Sequence, residues 1–183
     1  MEAEDIAELV RESSRNEILL ASADIEAAIA GRDIPVSDPS TGPVQVPALI
    51  MEAVRGNDDL KVILDDSGGP WYFSERFMTG AYARVLLLKG QGPLKMMAEV
   101  IREHSRVYPR PVPLSLFQCP PFNLSEDEIA LCLKEMADKP PYRDIAHLTT
   151  SIGSVFAYST DHIEPGHAAM LAEWVDVGQA ANP

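Results

Sequence analysis

Leu124-Ser125-Glu126-Asp127-Glu128-Ile129 carries the plainest structural instruction in this sequence. Ser125 and Glu128 stand at capping-box spacing, in which each side chain satisfies a free backbone N–H of the other residue. Leu124 and Ile129 bracket the box as a hydrophobic staple. A helix therefore begins after Ser125 and buries Ile129, Cys132, Leu133 and Met136. Asp138-Lys139-Pro140-Pro141 ends it, because proline can neither donate its backbone bond nor continue the turn.

Upstream of this helix, Gly90-Gln91-Gly92 breaks the chain and Pro93 opens a helix over 93–108. Met97, Val100, Ile101 and Tyr108 point inward there; Lys95, Glu99, Arg102, Glu103 and Arg106 point outward. Pro109 to Pro113 must be extended, and Leu114 to Phe117 predicts a short strand. Downstream, residues 142–160 read as β structure after a short helix near 142–148. Ser151-Ile152-Gly153-Ser154 forms a tight turn and Val155 to Ser159 a strand. Pro165 begins a last helix that ends at Gly178. This order is compatible with a winged-helix-like arrangement over 93–178, although likeness of fold says little about function.

In the first half, a helix covers 2–12, with Ile6, Leu9 and Val10 on one face. Ser14 and Glu17 match a second capping box, followed by an apolar stripe of Ile18, Ala21, Ile25, Ala28 and Ile29 that stops at Gly31. Pro35, Pro39, Pro43 and Pro47 make 32–47 an extended connection. A short helix runs from Pro47 to Arg55. Asn57-Asp58-Asp59 predicts another helix start, with a strand over 60–64 as the alternative. Residues 65–70 are a turn and Trp71 to Phe73 a strand. Residues 74–89 are apolar almost all round and predict a buried helix or, at the Val-Leu-Leu-Leu end, a central strand. We read no internal repeat. The expected class is α+β: a helix-rich single domain with a small antiparallel sheet. Its expected parts are an N-terminal helical segment (1–31), a proline-containing connection (32–47) and a main domain (48–183).

The 183 residues are 46% hydrophobic, enough for a real core. No apolar run suits a membrane span or a secretion signal. Cys119 and Cys132 read as reduced core thiols, so the expected compartment is the cytoplasm. A net charge of −13 argues against broad nucleic-acid binding, which rests on neutralising phosphates. The charge is uneven: residues 1–69 sum to −10, 76–110 to +5 and 111–183 to −7.

Asp161-His162-Ile163-Glu164-Pro165-Gly166-His167 holds ligand types that a transition metal accepts, but not at H-E-x-x-H spacing. Asp58, Asp59, Asp65 and Asp66 lack EF-hand spacing and read as caps and turns. No G-x-S-x-G frame is present. The leading expectation is a cytoplasmic protein-interaction or accessory module that has no catalytic site or cofactor and docks another protein through Lys95, Arg102, Arg106 and Arg110. One alternative is a winged-helix transcriptional regulator using the basic 76–110 segment. A second is a metal-dependent enzyme using residues 161–167.

Overall fold

The computed structural model describes residues 3–30 and 46–178. Most of the expected 32–47 connection lies outside the described residues. The chain is helix-rich α+β, as its patterning predicts, and the small antiparallel sheet occurs twice. Two compact units divide the chain, Met1–Leu87 and Leu88–Pro183.

The first unit holds α1 (Ala3–Arg15), β1 (Leu20–Ala21), α2 (Ser22–Ala30), α3 (Val46–Gly56), β2 (Leu60–Leu64), β3 (Pro70–Ser74) and most of α4 (Gly80–Gly90). Its strand order is β1-β3-β2, antiparallel throughout. One core gathers Ile6, Ala7 and Val10 of α1 with Ile25, Ile50, Ala53, Leu60 and Tyr72. A second core packs Phe73 and Met78 with Ala83 and Leu87 of α4. Leu60 and Tyr72 belong to the first core and Phe73 to the second, as strand alternation requires for a sheet packed on both faces.

The second unit holds α5 (Pro93–Val107), β4 (Val112–Pro113), a 3-10 helix (Leu114–Gln118), α6 (Glu126–Asp138), a 3-10 turn (Pro140–Tyr142), β5 (Ile145–Thr149), β6 (Val155–Ser159), α7 (Pro165–Glu173) and a π-helical turn (Trp174–Gly178). Its strand order, β4-β6-β5, has the connectivity of the first sheet. Tyr158, Ile163 and Ala168 form a core that stands where Phe73, Met78 and Ala83 stand in the first unit.

The two units repeat one another, contrary to the expectation of no repeat. Residues 7–15 read Ala-Glu-Leu-Val-Arg-Glu-Ser-Ser-Arg and residues 98–106 read Ala-Glu-Val-Ile-Arg-Glu-His-Ser-Arg. The hairpins also agree, at one constant offset. Asp65 N–H donates to the Gly69 carbonyl at 2.9 Å and Thr150 N–H to that of Ser154 at 2.9 Å. Gly68 and Gly153 occupy the same turn position at φ +83° and +94°, which a Cβ would strain.

Several local expectations change. Ser14 does not cap a second helix; it lies buried inside α1, where its hydroxyl accepts the backbone N–H of Ser74. Residues 60–64 take the strand alternative. Asn57 instead turns its amide back to the Ala53 carbonyl at the end of α3, at 3.0 Å. Residues 114–118 form a 3-10 helix rather than a strand, and β pairing stops at Pro113. Tyr108 is exposed just past α5, and Cys119 is exposed rather than in the core.

Ser125 caps α6 as expected: it accepts from Glu128 N–H at 3.3 Å and donates its own N–H to the Glu128 carboxylate at 2.8 Å. Ser125→Ala should lower stability by about 1 kcal/mol in equilibrium urea unfolding.

Candidate functional site

Each unit is tied by a partly buried polar clasp. Arg11 lies on the apolar face of α1, beside Val10 and one turn before Ser14. Its Nε and Nη2 donate to both oxygens of Asp59, at 3.1 and 3.0 Å. Nη1 reaches Glu4 at 2.8 Å, and Nη2 also meets the side-chain oxygen of Asn57. The hydroxyl of Ser74, at the end of β3, donates to the same Asp59 carboxylate at 2.7 Å. The Ser74 backbone N–H donates to Ser14 Oγ at 2.8 Å.

The second unit repeats the arginine–aspartate pair and both serine bonds, with different further partners for its arginine. Arg102 Nε and Nη2 donate to the two oxygens of Asp144 at 2.9 and 2.6 Å. Nη1 meets Glu99 at 2.9 Å and Nη2 the Pro141 carbonyl at 2.7 Å. Ser159 Oγ donates to Asp144 at 2.9 Å, while its N–H donates to Ser105 Oγ at 2.9 Å. In each unit one arginine and one serine of the leading helix grip the residue before the hairpin and the residue that closes it. The four serines are buried. Paired arginine and serine hydrogen bonds hold Asp59 far below the usual carboxylate range and lower Asp144 likewise.

This geometry places the expected basic residues one by one. Arg102 is committed to its own unit. Arg106 pairs with Glu103 at 2.7 Å on the surface of α5. Arg110 stacks over the Tyr108 ring at 5.3 Å. Lys95 is half-buried on α5. Arg76 of the wider basic segment lies 3.4 Å from Asp59. Lys89 donates to the Pro121 carbonyl at 3.2 Å.

The His-containing cluster lies where β6 passes into α7. Asp161, His162, Glu164 and His167 are all exposed, and the backbone N–H of His162 returns to Ser159. Among the described residues no three His, Cys, Asp or Glu side chains converge as a metal ion would need. Asp65 closes its hairpin turn by accepting from Ser67, Gly69 and Trp71, which lowers its pKa to about 2. Burial pushes the Cys132 thiol upward, so it stays a protonated core group.

A second feature of the second unit escaped sequence reasoning. A groove of about 560 Å³ runs between the 3-10 helix, α6 and the hairpin β5–β6. Ile129 and Phe156 form its floor; Leu114, Leu133 and Val155 add apolar surface. Glu126, His147 and Asp176 supply its charged and titratable lining. Asp176 anchors the π-helical turn to the hairpin, accepting from Thr150 and, at 3.1 Å, from Ser154. Glu173 accepts from the Ser151 backbone and hydroxyl at 2.6 and 2.8 Å. Sequence spacing gives no sign of a groove assembled from four separate segments.

Comparison with known proteins bears on the second unit most directly. Residues 91–180 match the family model described as YdhW C-terminal domain. The uncharacterized protein YdhW of Escherichia coli (strain K12) is 27% identical over 184 residues, spanning 99% of this chain and 81% of that protein. No solved structure matches. The family match falls within the second unit, and the first unit repeats the strand connectivity of that matched region.

Replacing Arg102 by Met should destabilise the protein by about 2 kcal/mol, because the half-buried Asp144 loses its charged hydrogen-bond partner. Arg102→Lys should not rescue it, since a lysine cannot make the two-pronged bond. Both clasp carboxylates titrate below their unfolded value of roughly 3.9. Their contribution is therefore complete above that pH and disappears as pH falls toward the folded values. Thermal midpoints measured from pH 7 to pH 2 should fall less steeply for Asp144→Asn than for the parent.

Proposed function

We propose that this chain is an accessory protein that docks another protein, built from two winged-helix-like units and acting without a catalytic centre of its own. In each unit a helix, a short strand, further helix and a β-hairpin follow one another, the order expected of a helical pair packed on a small sheet. A DNA-reading version would place the second helix of the turn in the major groove. In the second unit that helix is α6, and the charge it carries is the single observation behind this reading. Glu126, Asp127, Glu128, Glu135 and Asp138 stand on it against Lys134. The hairpin turn, residues 150–154, has no charged residue, and the matching turn of the first unit brings Asp65 and Asp66. Such a surface repels phosphate. The basic 76–110 segment supports a DNA regulator poorly, because Arg76, Arg102 and Arg106 are paired with carboxylates of the chain itself.

Arg106 and Arg110 remain on the surface of the second unit, where charged side chains steer encounter more than they add affinity. The protein-docking reading places the chain in the cytoplasm as a small subunit or assembly factor. No helix among the described residues is long and apolar enough to cross a membrane.

The test is reconstitution. The immobilised full chain should retain a protein from native extract that, once purified, forms a stoichiometric complex in analytical ultracentrifugation. Labelled duplex DNA should show no saturable binding at about 150 mM salt. Saturable, salt-sensitive duplex binding with no protein complex would overturn the reading.

A further inference from the structure

We propose that the groove of the second unit receives a cationic, apolar segment of the docked protein, with leucine- or phenylalanine-type side chains on its floor and Lys or Arg at its rim. This inference rests on the docking function proposed above and assigns the chemistry of the partner.

Three observations carry it. The first is shape. Ser115, Gln118, Glu126, Ala130, His147 and Thr149 line the groove yet are exposed. A site with so open a wall does not enclose a small molecule, since small-molecule sites bury most of their ligand. It suits a chain segment that lies along it and sends one or two side chains down to Ile129 and Phe156. Contacts of this kind take their energy from buried apolar anchors within a polar rim.

The second is charge complementarity. The charged side chains in the lining are the carboxylates of Glu126 and Asp176; no Lys or Arg is among the lining residues. Glu126 accepts from the Gln118 amide at 3.4 Å, a long bond that leaves the carboxylate able to accept more. The Asp176 carboxylate accepts from two hydroxyls, those of Thr150 and Ser154. Asp127 and Glu128 continue the negative field along the same turn of α6. A partner rich in Lys or Arg is attracted to this rim and an acidic one is repelled.

The third is the comparison between the two units. The clasp recurs in both, so its residues mark architecture. The groove lining does not recur. His147 pairs with Ala157 at the register position where Val62 pairs with Tyr72, and Thr149 stands opposite Val155 as Leu64 stands opposite Pro70. The polar lining contributed by β5 is a property of the second unit's sequence.

The probe is a labelled twelve-residue peptide alternating Arg and Leu, titrated into the full-length protein and followed by amide NMR shifts. Two counterparts replace every Arg by Glu or every Leu by Ser. Amides of Ala130, Leu133, His147 and Val155 should shift saturably with the Arg/Leu peptide and at least tenfold more weakly with either counterpart. Ala130→Arg, on the exposed side of α6, should abolish the response, and Glu126→Lys should weaken it about tenfold, or 1.4 kcal/mol. Equal binding of the Glu/Leu peptide overturns the charge assignment, and equal binding of the Arg/Ser peptide overturns the apolar anchor. Concentration-dependent shifts at these residues without peptide would identify a second copy of the chain as the occupant and overturn the proposal. A partner complex that survives Ala130→Arg, with no groove response to the peptide, sinks this inference and leaves the docking function standing. Failure to form any partner complex sinks the docking function itself.

Discussion

A two-pronged bond between an arginine on the leading helix and an aspartate before the hairpin organises both halves of this protein. Arg11 and Asp59 form it in the first unit, Arg102 and Asp144 in the second. An ion pair taken out of water costs several kcal/mol in desolvation and repays it only with good geometry and satisfied remaining atoms. Both pairs meet that condition. The serine that ends the hairpin donates to the aspartate, and a serine of the helix accepts that residue's backbone N–H. The pairing therefore fixes the register of helix against hairpin, which apolar packing alone specifies loosely.

Because the clasp is shared, the differences between the units carry the functional information. The buried side of α1 and α5 keeps small and aliphatic residues at matching places: Ile6, Ala7 and Val10 in one, Met97, Ala98 and Ile101 in the other. The helix preceding each hairpin diverges instead. α3 exposes Met51, Glu52 and Arg55, whereas α6 opens with three acids under a capping box. The groove lies beside the second of these helices, so chemistry specific to one unit sits on architecture common to both.

Much of the fold was legible in the sequence. The Ser125–Glu128 box, Pro93 at a helix start and the Gly153 turn are local signals whose partners stand within a few residues, and each appears as expected. The misread positions depend on distant partners. Ser14 looked like a cap because its neighbours fit one, but its hydroxyl serves Ser74, far along the chain. Arg102 looked like a surface charge by helical spacing, whereas its partner Asp144 comes from another element. The repeat was the one long-range signal open to inspection, in the shared Ala-Glu-x-x-Arg-Glu-x-Ser-Arg pattern. It hides because its spacing differs between the helix and the hairpin, and because the segments between them share no pattern. The groove was not legible, since its lining comes from four separated segments that only folding assembles.

The central claim is that the arginine–aspartate bond holds helix and hairpin together in each unit. A double-mutant cycle on the full chain, combining Arg102→Met with Asp144→Asn and, separately, Arg11→Met with Asp59→Asn, measures that bond free of the cost of either side chain alone. Urea unfolding should return a coupling of about 2 kcal/mol or more in both cycles. Coupling below about 0.5 kcal/mol, the value of independent sites, would contradict the account.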